Sequence, residues 1–276
     1  MPRAIWNGSV SFGLVTIPVK LYGATEDKDV SFRQVHSADG GRVRYQRVCE
    51  KCGEVVEWGD LAKGYEAPDG RMAVLTDEDF EALPLSTLKT VDVVQFVDES
   101  EIDETYLQKT YFLEPQNTGH KPYVLLREAL AQQGKVAVVK VALRNRESLA
   151  LIRPREDLLV MHTMYWPDEL RDGDFAKPSE EVSVSDAEIQ MANLLIAQLE
   201  GSFDPEAYTD SYREALHEVV EAKLAGTPLS TADDTSAPVG DVVDLMATLK
   251  ASVAAAKKRR AEAEKAEKAE KGKKAS

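Results

Sequence analysis

Short β-type segments separated by turn residues fill the first 165 residues, and this pattern constrains the fold more than any other feature of the chain. The segments are rich in Val, Phe and Tyr, and residues such as Gly13, Pro18 and the pair Gly40–Gly41 punctuate them. Strands are predicted at residues 9–12, 16–22, 30–36, 43–49, 90–97, 136–144, 148–152 and 158–165. Many short strands with frequent turn signals are typical of an antiparallel barrel or sandwich.

Two helices are predicted within this β-rich region. One begins near Asp77 and runs to about Leu83, and the other spans roughly residues 122–133 and ends at Gly134. An apolar stripe along the second helix is predicted to consist of Val124, Leu125, Leu130 and Ala131.

The pattern becomes helical after Pro178. Ser185 and Glu188 form a capping box, and apolar residues follow at helical spacing up to Leu199. Asp204 and Pro205 predict the start of a second helix that runs to about Leu224. We therefore expect a β-dominated core over residues 1–180 and a helical arm over residues 181–226.

The C-terminal part divides into three predicted segments. Residues 227–240 form a linker rich in Thr, Ser, Asp and Pro, and residues 257–276 form a basic, disordered tail without an apolar stripe. Between them, residues 241–256 predict an amphipathic helix. Its apolar stripe consists of Val242, Leu245, Met246, Leu249 and Val253.

Charge is distributed unevenly along the chain, whose net charge is -14. The residues from Lys250 onward carry 10 basic and 4 acidic side chains, whereas the rest carry 24 and 44. A basic tail on an acidic body predicts contact with a polyanion, although a solvated tail that aids solubility would show the same composition. No apolar run approaches the ~20 residues of a membrane span, and the N-terminus has no signal-peptide pattern, so we expect a cytoplasmic protein without a membrane partner.

Cys49 and Cys52 are the two cysteines of the chain, and their spacing is that of half a zinc knuckle. A tetrahedral zinc site needs four ligands, and no second such pair exists. His36 and His162 would complete the site only if the fold brings them close, and a symmetric dimer would do so only if both pairs lie on its two-fold axis. The alternative is a tight turn with two reduced thiols, and no cofactor is predicted.

Motifs of known catalytic sites are missing from the sequence. It contains no phosphate-binding GxxxxGK[ST], no GxGxxG after a strand, no HExxH and no GxSxG. No catalytic residue is therefore predicted.

Several longer motifs nevertheless resemble those of bacterial Ku proteins. They are residues 5–15 (IWNGSVSFGLV), 17–19 (IPV), 49–53 (CEKCG), 111–115 (YFLEP) and 161–169 (MHTMYWPDE), and the resemblance extends to about Val253. It implies a Ku-type β-barrel core with an inserted bridging arm, followed by a helical C-terminal arm. It also implies a ring-shaped homodimer that threads onto ends of double-stranded DNA, associates with the nucleoid and recruits an ATP-dependent repair ligase, with residues 241–256 as the ligase-binding segment.

Binding of DNA ends of any sequence requires contacts to phosphates, and basic residues cluster in two segments of the acidic body. Residues 42–51 and residues 135–155 each combine several Lys and Arg with one acid. The alternative for the second segment is an ordinary charged hairpin tip. The predicted DNA-binding residues, including those of the tail, are Arg42, Arg44, Arg47, Lys140, Arg144, Arg146, Lys257, Lys258, Arg259 and Arg260.

Non-catalytic binding of DNA ends in repair is thus the function that the sequence predicts. Two other functions stay open at this stage. One is a zinc-containing nucleic-acid-binding protein that does not encircle DNA, and the other is a barrel enzyme whose acidic cleft binds a metal.

Overall fold

A closed barrel of seven strands forms the centre of the first of two compact units, Met1–Asp172, and the second unit is Gly173–Ser276. The structure is a computed structural model that describes residues 2–82, 89–143, 146–179, 182–227 and 248–258. Among these residues the strands are β1 (Trp6–Phe12), β2 (Val15–Gly23), β3 (Lys63–Glu66), β4 (Met72–Leu75), β5 (Thr90–Asp98), β6 (Leu107–Pro115), β7 (Lys135–Leu143), β8 (Arg146–Arg155) and β9 (Leu158–Met164).

The order of strands around the barrel is β1-β2-β6-β9-β8-β7-β5. All neighbouring strands are antiparallel except β1 and β5, whose parallel pairing closes the barrel. Gly8 lies at this closure, where an added Cβ would be 2.3 Å from the carbonyl oxygen of Lys89. Only glycine lets two backbone segments approach so closely. Closure of the barrel therefore explains why the motif at residues 5–15 has a glycine at this position.

The interior of the barrel is filled by every second residue of each strand, as the two-residue period of a β-strand requires. Ala137, Val139 and Val141 of β7 belong to this core. The outer face of the same strand carries Val136 and Val138, which pack in a second apolar cluster with partly buried residues of the loop between β5 and β6. Because both faces of β7 are covered, its sequence is apolar except for Lys135 and Lys140.

Helix α2 (His120–Gln133) packs against the barrel through Tyr123, Leu126 and Leu130. The predicted stripe was wrong in part: Leu130 is buried, but Val124, Leu125 and Ala131 are exposed. Apolar residues occur on more than one face of this helix, so spacing alone did not identify the buried one. Gly134 ends the helix in the left-handed conformation, with φ +61°, as predicted.

The hydroxyl of Tyr123 joins two strands of the barrel. It donates a hydrogen bond to the carbonyl oxygen of Leu113 on β6, at 2.8 Å, and accepts one from the backbone N–H of Leu159 on β9, at 2.6 Å. Burial raises the pKa of this phenol. Tyr123→Phe should lower the free energy of unfolding by roughly 1–3 kcal/mol, because both backbone groups lose a buried partner.

Denaturant unfolding of purified Tyr123→Phe would measure this change. Tyr22→Phe is the matched control, since its hydroxyl contacts Glu114 at an exposed site and its loss should cost no more than about 0.5 kcal/mol. Equal stability of the two variants would contradict the role given to Tyr123.

The strands predicted at residues 30–36 and 43–49 are absent, and β6 was not predicted. The two predicted segments form only single bridges, Val35 with Arg42 and Val48 with Val55, and their residues lie almost entirely exposed. Their Val-rich and Tyr-rich sequences favour extended backbone, but the barrel offers them no neighbouring strand.

Helices α1 (Asp77–Glu81), α3 (Asp186–Leu199) and α4 (Ser211–Ala225) complete the described regular structure, together with short 3-10 turns and a helix over residues 248–258. The capping box of Ser185 and Glu188 is confirmed. Asp204 caps only the 3-10 turn Pro205–Ala207, and Asp210 caps α4 instead, so the predicted start of the second helix was wrong. Residues 241–247 and 259–276 lie outside the described part of the chain.

The fold class predicted from the sequence is confirmed: a β-barrel core with an inserted arm, followed by a helical C-terminal region. None of the helices among the described residues has the length and hydropathy that crossing a bilayer demands.

Candidate nucleic-acid interface

Residues 24–82, which we call the arm, leave the barrel after β2 and return before β5. Its described residues form three hairpins. In the first, the N–H of Val43 donates to the carbonyl of Gln34, and in the second, the N–H of Val56 donates to the carbonyl of Arg47. The third consists of β3 and β4, so backbone hydrogen bonds hold each part of the arm in a fixed conformation. Among its described residues, none is fully buried.

Large apolar side chains of the arm are exposed. The most exposed aromatic ones are Phe32, Tyr45, Trp58 and Tyr65, at 61–76% of their full surface, and seven aliphatic residues accompany them: Val35, Val43, Val48, Val55, Leu61, Met72 and Val74. Apolar surface on this scale is typical of a binding face, since a monomeric protein seldom leaves it in water.

Arg42, Arg44 and Arg47 are exposed on the same arm. No acidic side chain pairs with them among the residues that the structure describes. The guanidinium of Arg47 lies over the ring of Trp58, 4.6 Å from its centroid. Three arginines whose charge is not offset by a neighbouring carboxylate are available to an anionic ligand, and the planar guanidinium suits phosphate oxygens.

The predicted DNA-binding residues Lys140 of β7 and Arg146 of β8 are differently placed, because each lies beside an acid. Lys140 lies 3.6 Å from Glu147 and 5.5 Å from the ring centroid of Trp166. Arg146 lies 2.6 Å from Glu169. Arg144 lies outside the described residues, as do Arg259 and Arg260, whereas Lys257 and Lys258 are exposed at the end of the helix over residues 248–258.

Glu169 belongs to the motif at residues 161–169, and its contacts explain the local turn. It accepts a hydrogen bond from the backbone N–H of Trp166, at 2.9 Å. This bond, followed by the Arg146 guanidinium, lowers the pKa of the Glu169 carboxyl. The carboxylate thus holds both the turn after β9 and the first arginine of β8, a pairing that the sequence analysis missed because 23 residues separate the partners.

His162 is a buried residue of β9, and its imidazole contacts a hydroxyl group on the neighbouring strand β6. Its Nδ1 lies 3.1 Å from the hydroxyl of Thr110, and its Nε2 has no hydrogen-bond partner among the described residues. Burial, then the charges of Arg153 and Arg155, lower the pKa of the imidazole. His162 is thus a buried residue of the barrel, and no cluster with other possible metal ligands includes it among the described residues.

The structure describes only some of the remaining predicted residues. Leu249 is half-buried and Val253 is buried, while Val242, Leu245 and Met246 lie outside the described residues. Cys49 and Cys52 occupy the tip of the second hairpin of the arm. Within the described ranges no cluster of three or more His, Cys, Asp or Glu side chains has a geometry suited to a metal.

Comparison with known proteins relates both the barrel and the chain as a whole to one family. A family model described as the Ku70/Ku80 beta-barrel domain matches residues 11–191. A protein of Frankia casuarinae named non-homologous end joining protein Ku is 53% identical over 260 residues, which are 94% of this chain and 65% of the relative.

Two shorter relatives carry the same name. That of Mycobacterium tuberculosis is 43% identical, over 93% of this chain and 96% of the relative. That of Bacillus subtilis is 40% identical, over 91% of this chain and 81% of the relative. The chain thus spans just under two thirds of the Frankia protein but most of the other two.

Proposed function

Because this chain belongs to the Ku family of non-homologous end joining proteins, we propose that it binds ends of double-stranded DNA in repair, without sequence preference. Family membership confirms the resemblance that the sequence motifs indicated. It also confirms the expectation that the chain is not an enzyme, since the family is non-catalytic. The observation that carries the proposal is the arm, with its uncovered apolar side chains and its three arginines that have no acidic neighbour among the described residues.

Sequence-independent binding follows from the chemistry of the arm. Phosphates are identical at every step of a duplex, so arginines that contact them position the protein without reading bases. Outside the residues from Lys250 onward, the chain carries 44 acidic and 24 basic side chains. An acidic body repels DNA wherever cations are not concentrated, which favours a single mode of approach.

A homodimer is the second part of the proposal. Helices α3 and α4 contain no fully buried residue, and they expose Ile196, Leu199, Tyr212 and Leu224. Together with the arm, these faces offer apolar surface that a second copy would bury. Two arms that meet over the duplex would close a ring, and a ring accounts for a preference for ends, because it can be threaded only where the DNA is interrupted.

A repair ligase is the proposed protein partner, bound through the amphipathic segment at residues 241–256. Helix-in-groove binding would use the apolar stripe, and the basic tail beyond it would add weak contacts to DNA. Val253 is buried and is therefore not free to contact a partner. We assign ligase binding to the N-terminal half of the stripe, at residues 242–249. In the cell, this function would place the protein in the cytoplasm with the nucleoid.

Leu245→Asp combined with Leu249→Asp should reduce ligase binding at least tenfold while affinity for DNA ends is unchanged, because the charges fall on the stripe alone. Truncation after Ala256 should do the reverse and lower DNA affinity. Pull-down with the ATP-dependent repair ligase and gel-shift assays on the same preparations measure the two effects. If both variants lose the same activity to the same degree, the segments have no separate roles.

End dependence is the test of the proposed function itself. A linear duplex should bind, and the same duplex with both ends blocked by bulky adducts should not. Comparable affinity for the open and the blocked duplex would refute binding by threading.

A further inference from the structure

We propose that Trp58 of the arm stacks on an unpaired base of a single-stranded overhang at a DNA end, while Arg47 beside it contacts the adjoining phosphate. The inference rests on the proposed function and deepens it, because it names the kind of end that the protein prefers. The ligand is a single-stranded nucleotide, which offers a flat base to the indole and an anionic phosphate to the guanidinium.

Trp58 is far more exposed than the other two tryptophans of the chain. Its exposed fraction is 73%, whereas Trp6 and Trp166 are both partly buried. Trp6 packs against the core of the barrel, and the ring of Trp166 lies 5.5 Å from the ammonium group of Lys140. Tryptophan is on average a well-buried residue, so an indole that projects into water from the arm is a candidate contact for a ligand.

The second hairpin of the arm brings Arg47 and Trp58 to the same face. Val48 and Val55 pair in an antiparallel bridge. The N–H of Val56 donates to the carbonyl of Arg47 at 2.8 Å, which puts these two residues opposite each other. Since side chains alternate between the faces of a hairpin, Trp58 shares the face of Val56 and Arg47. The guanidinium accordingly lies over the indole ring, 4.6 Å from its centroid.

This arrangement occupies one face of the indole ring and leaves the other face to a ligand. No other aromatic ring stacks on Trp58 in the part of the chain that the structure describes. A cation over one face restricts the orientation of the ring through its attraction to the π-electrons. A base that stacks on the open face removes apolar surface from water. Every base has such a π-face, so binding of an overhang stays independent of sequence.

The phosphate next to a stacked base would meet Arg47, which has no acidic partner among the described residues. Glu57 and Asp60 flank Trp58 along the chain, so electrostatic attraction at the ring itself is weak. Stacking therefore supplies a part of the affinity that does not depend on salt, and Arg47 supplies a part that does. Measurements at several salt concentrations separate the two contributions.

Affinities of the full-length protein for blunt and overhanging ends test the proposal. Each duplex has one end blocked by a bulky adduct, and its open end is blunt or carries about five unpaired thymidines on the 3′ or the 5′ strand. We expect the parent protein to bind at least one overhanging form roughly 5- to 150-fold more tightly than the blunt form. Trp58→Ala should abolish this preference at every salt concentration, whereas Trp58→Phe, which keeps an aromatic ring, should retain most of it.

Phe175→Ala is the matched control, because it removes an aromatic side chain that is 80% exposed and lies outside the arm. Its preference for overhangs should equal that of the parent protein. Arg47→Ala should lower the slope of log K against log salt by about 0.7 for each single-strand phosphate that it contacts, and Trp58→Ala should leave the slope close to that of the parent.

Stacking also has a spectroscopic signature. An overhang should quench the tryptophan fluorescence of the parent protein more than a blunt end does. The additional quenching should be absent in Trp58→Phe, in which Trp6 and Trp166 are the remaining tryptophans.

Three results would contradict the account in different ways. A parent protein without preference for either overhang, or an unchanged preference in Trp58→Ala, overturns the stacking site and leaves the proposed function intact. Dissociation of Trp58→Ala to a monomer in sedimentation would assign the ring to a contact between two copies and overturn the site as well. Equal affinity for the open blunt duplex and for the same duplex blocked at both ends overturns the proposed function itself.

Discussion

Replacing Arg42, Arg44 and Arg47 together by Ala should lower the affinity for linear duplex DNA by roughly a hundredfold or more at physiological salt. In a homodimer this variant removes up to six guanidinium groups that have no acidic partner among the described residues. Each phosphate contact that is lost should reduce the slope of log K against log salt by about 0.9. All DNA sequences should be affected equally, because the contacts are made to phosphates.

A triple-alanine variant of Lys28, Arg71 and Lys177 is the matched control. It makes the same change in net charge, but each of these cations is paired with an acid on its own loop, namely Glu26, Asp69 and Asp174. Its salt slope should therefore stay close to that of the parent protein. If the control lowers affinity as much as the triple-arginine variant does, net charge determines binding, and not the three arm arginines without an acidic partner among the described residues.

Ile196→Asp combined with Leu199→Asp should convert the proposed homodimer to a monomer at micromolar concentration. These side chains are 65% and 70% exposed on α3. Burial of a side chain of this size in an interface contributes roughly 1.5–3 kcal/mol, and the symmetric dimer contains two copies of each. The dissociation constant should rise at least about a thousandfold, which sedimentation over a range of concentrations would measure.

Ala187→Asp combined with Gln190→Asp is the corresponding control on the same helix. At 100° per residue these positions lie on a different face of α3 from Ile196 and Leu199, and the change in charge is the same. A stable dimer of the first variant, or dissociation of the control to the same extent, would show that the exposed face of α3 is not the dimer interface.

Most barrel strands could be predicted from the sequence because they have both a β-type composition and a buried face. β2, β7 and β9 show continuous or alternating Val, Leu and Ile, and the predicted bounds agree with the observed ones to within one or two residues. The arm was misassigned because composition does not reveal whether a neighbouring strand exists. Residues 30–49 favour extended backbone, yet in the described structure they form only isolated bridges and no barrel strand lies beside them.

The candidate site was less predictable for a similar reason. Sequence identified Arg42, Arg44 and Arg146 as members of two basic segments, but it could not show that Glu169 pairs with Arg146 while the two arm arginines have no acidic partner among the described residues. The motif at residues 161–169 contained the relevant acid without indicating its partner. Spacing did identify Cys49 and Cys52, whereas the backbone hydrogen bonds that place them at one hairpin tip became visible only in the folded structure.

The central claim is that two copies of this chain form a ring that is threaded onto a DNA end. One plasmid, used as a covalently closed circle and after a single cut, tests it most directly, because the two forms have the same sequence and the same phosphates. We predict that the cut form binds. The closed circle should compete for the protein only in proportion to the few circles that carry a nick or a break. Equal affinity for the closed circle and the cut plasmid would contradict threading, and with it the ring.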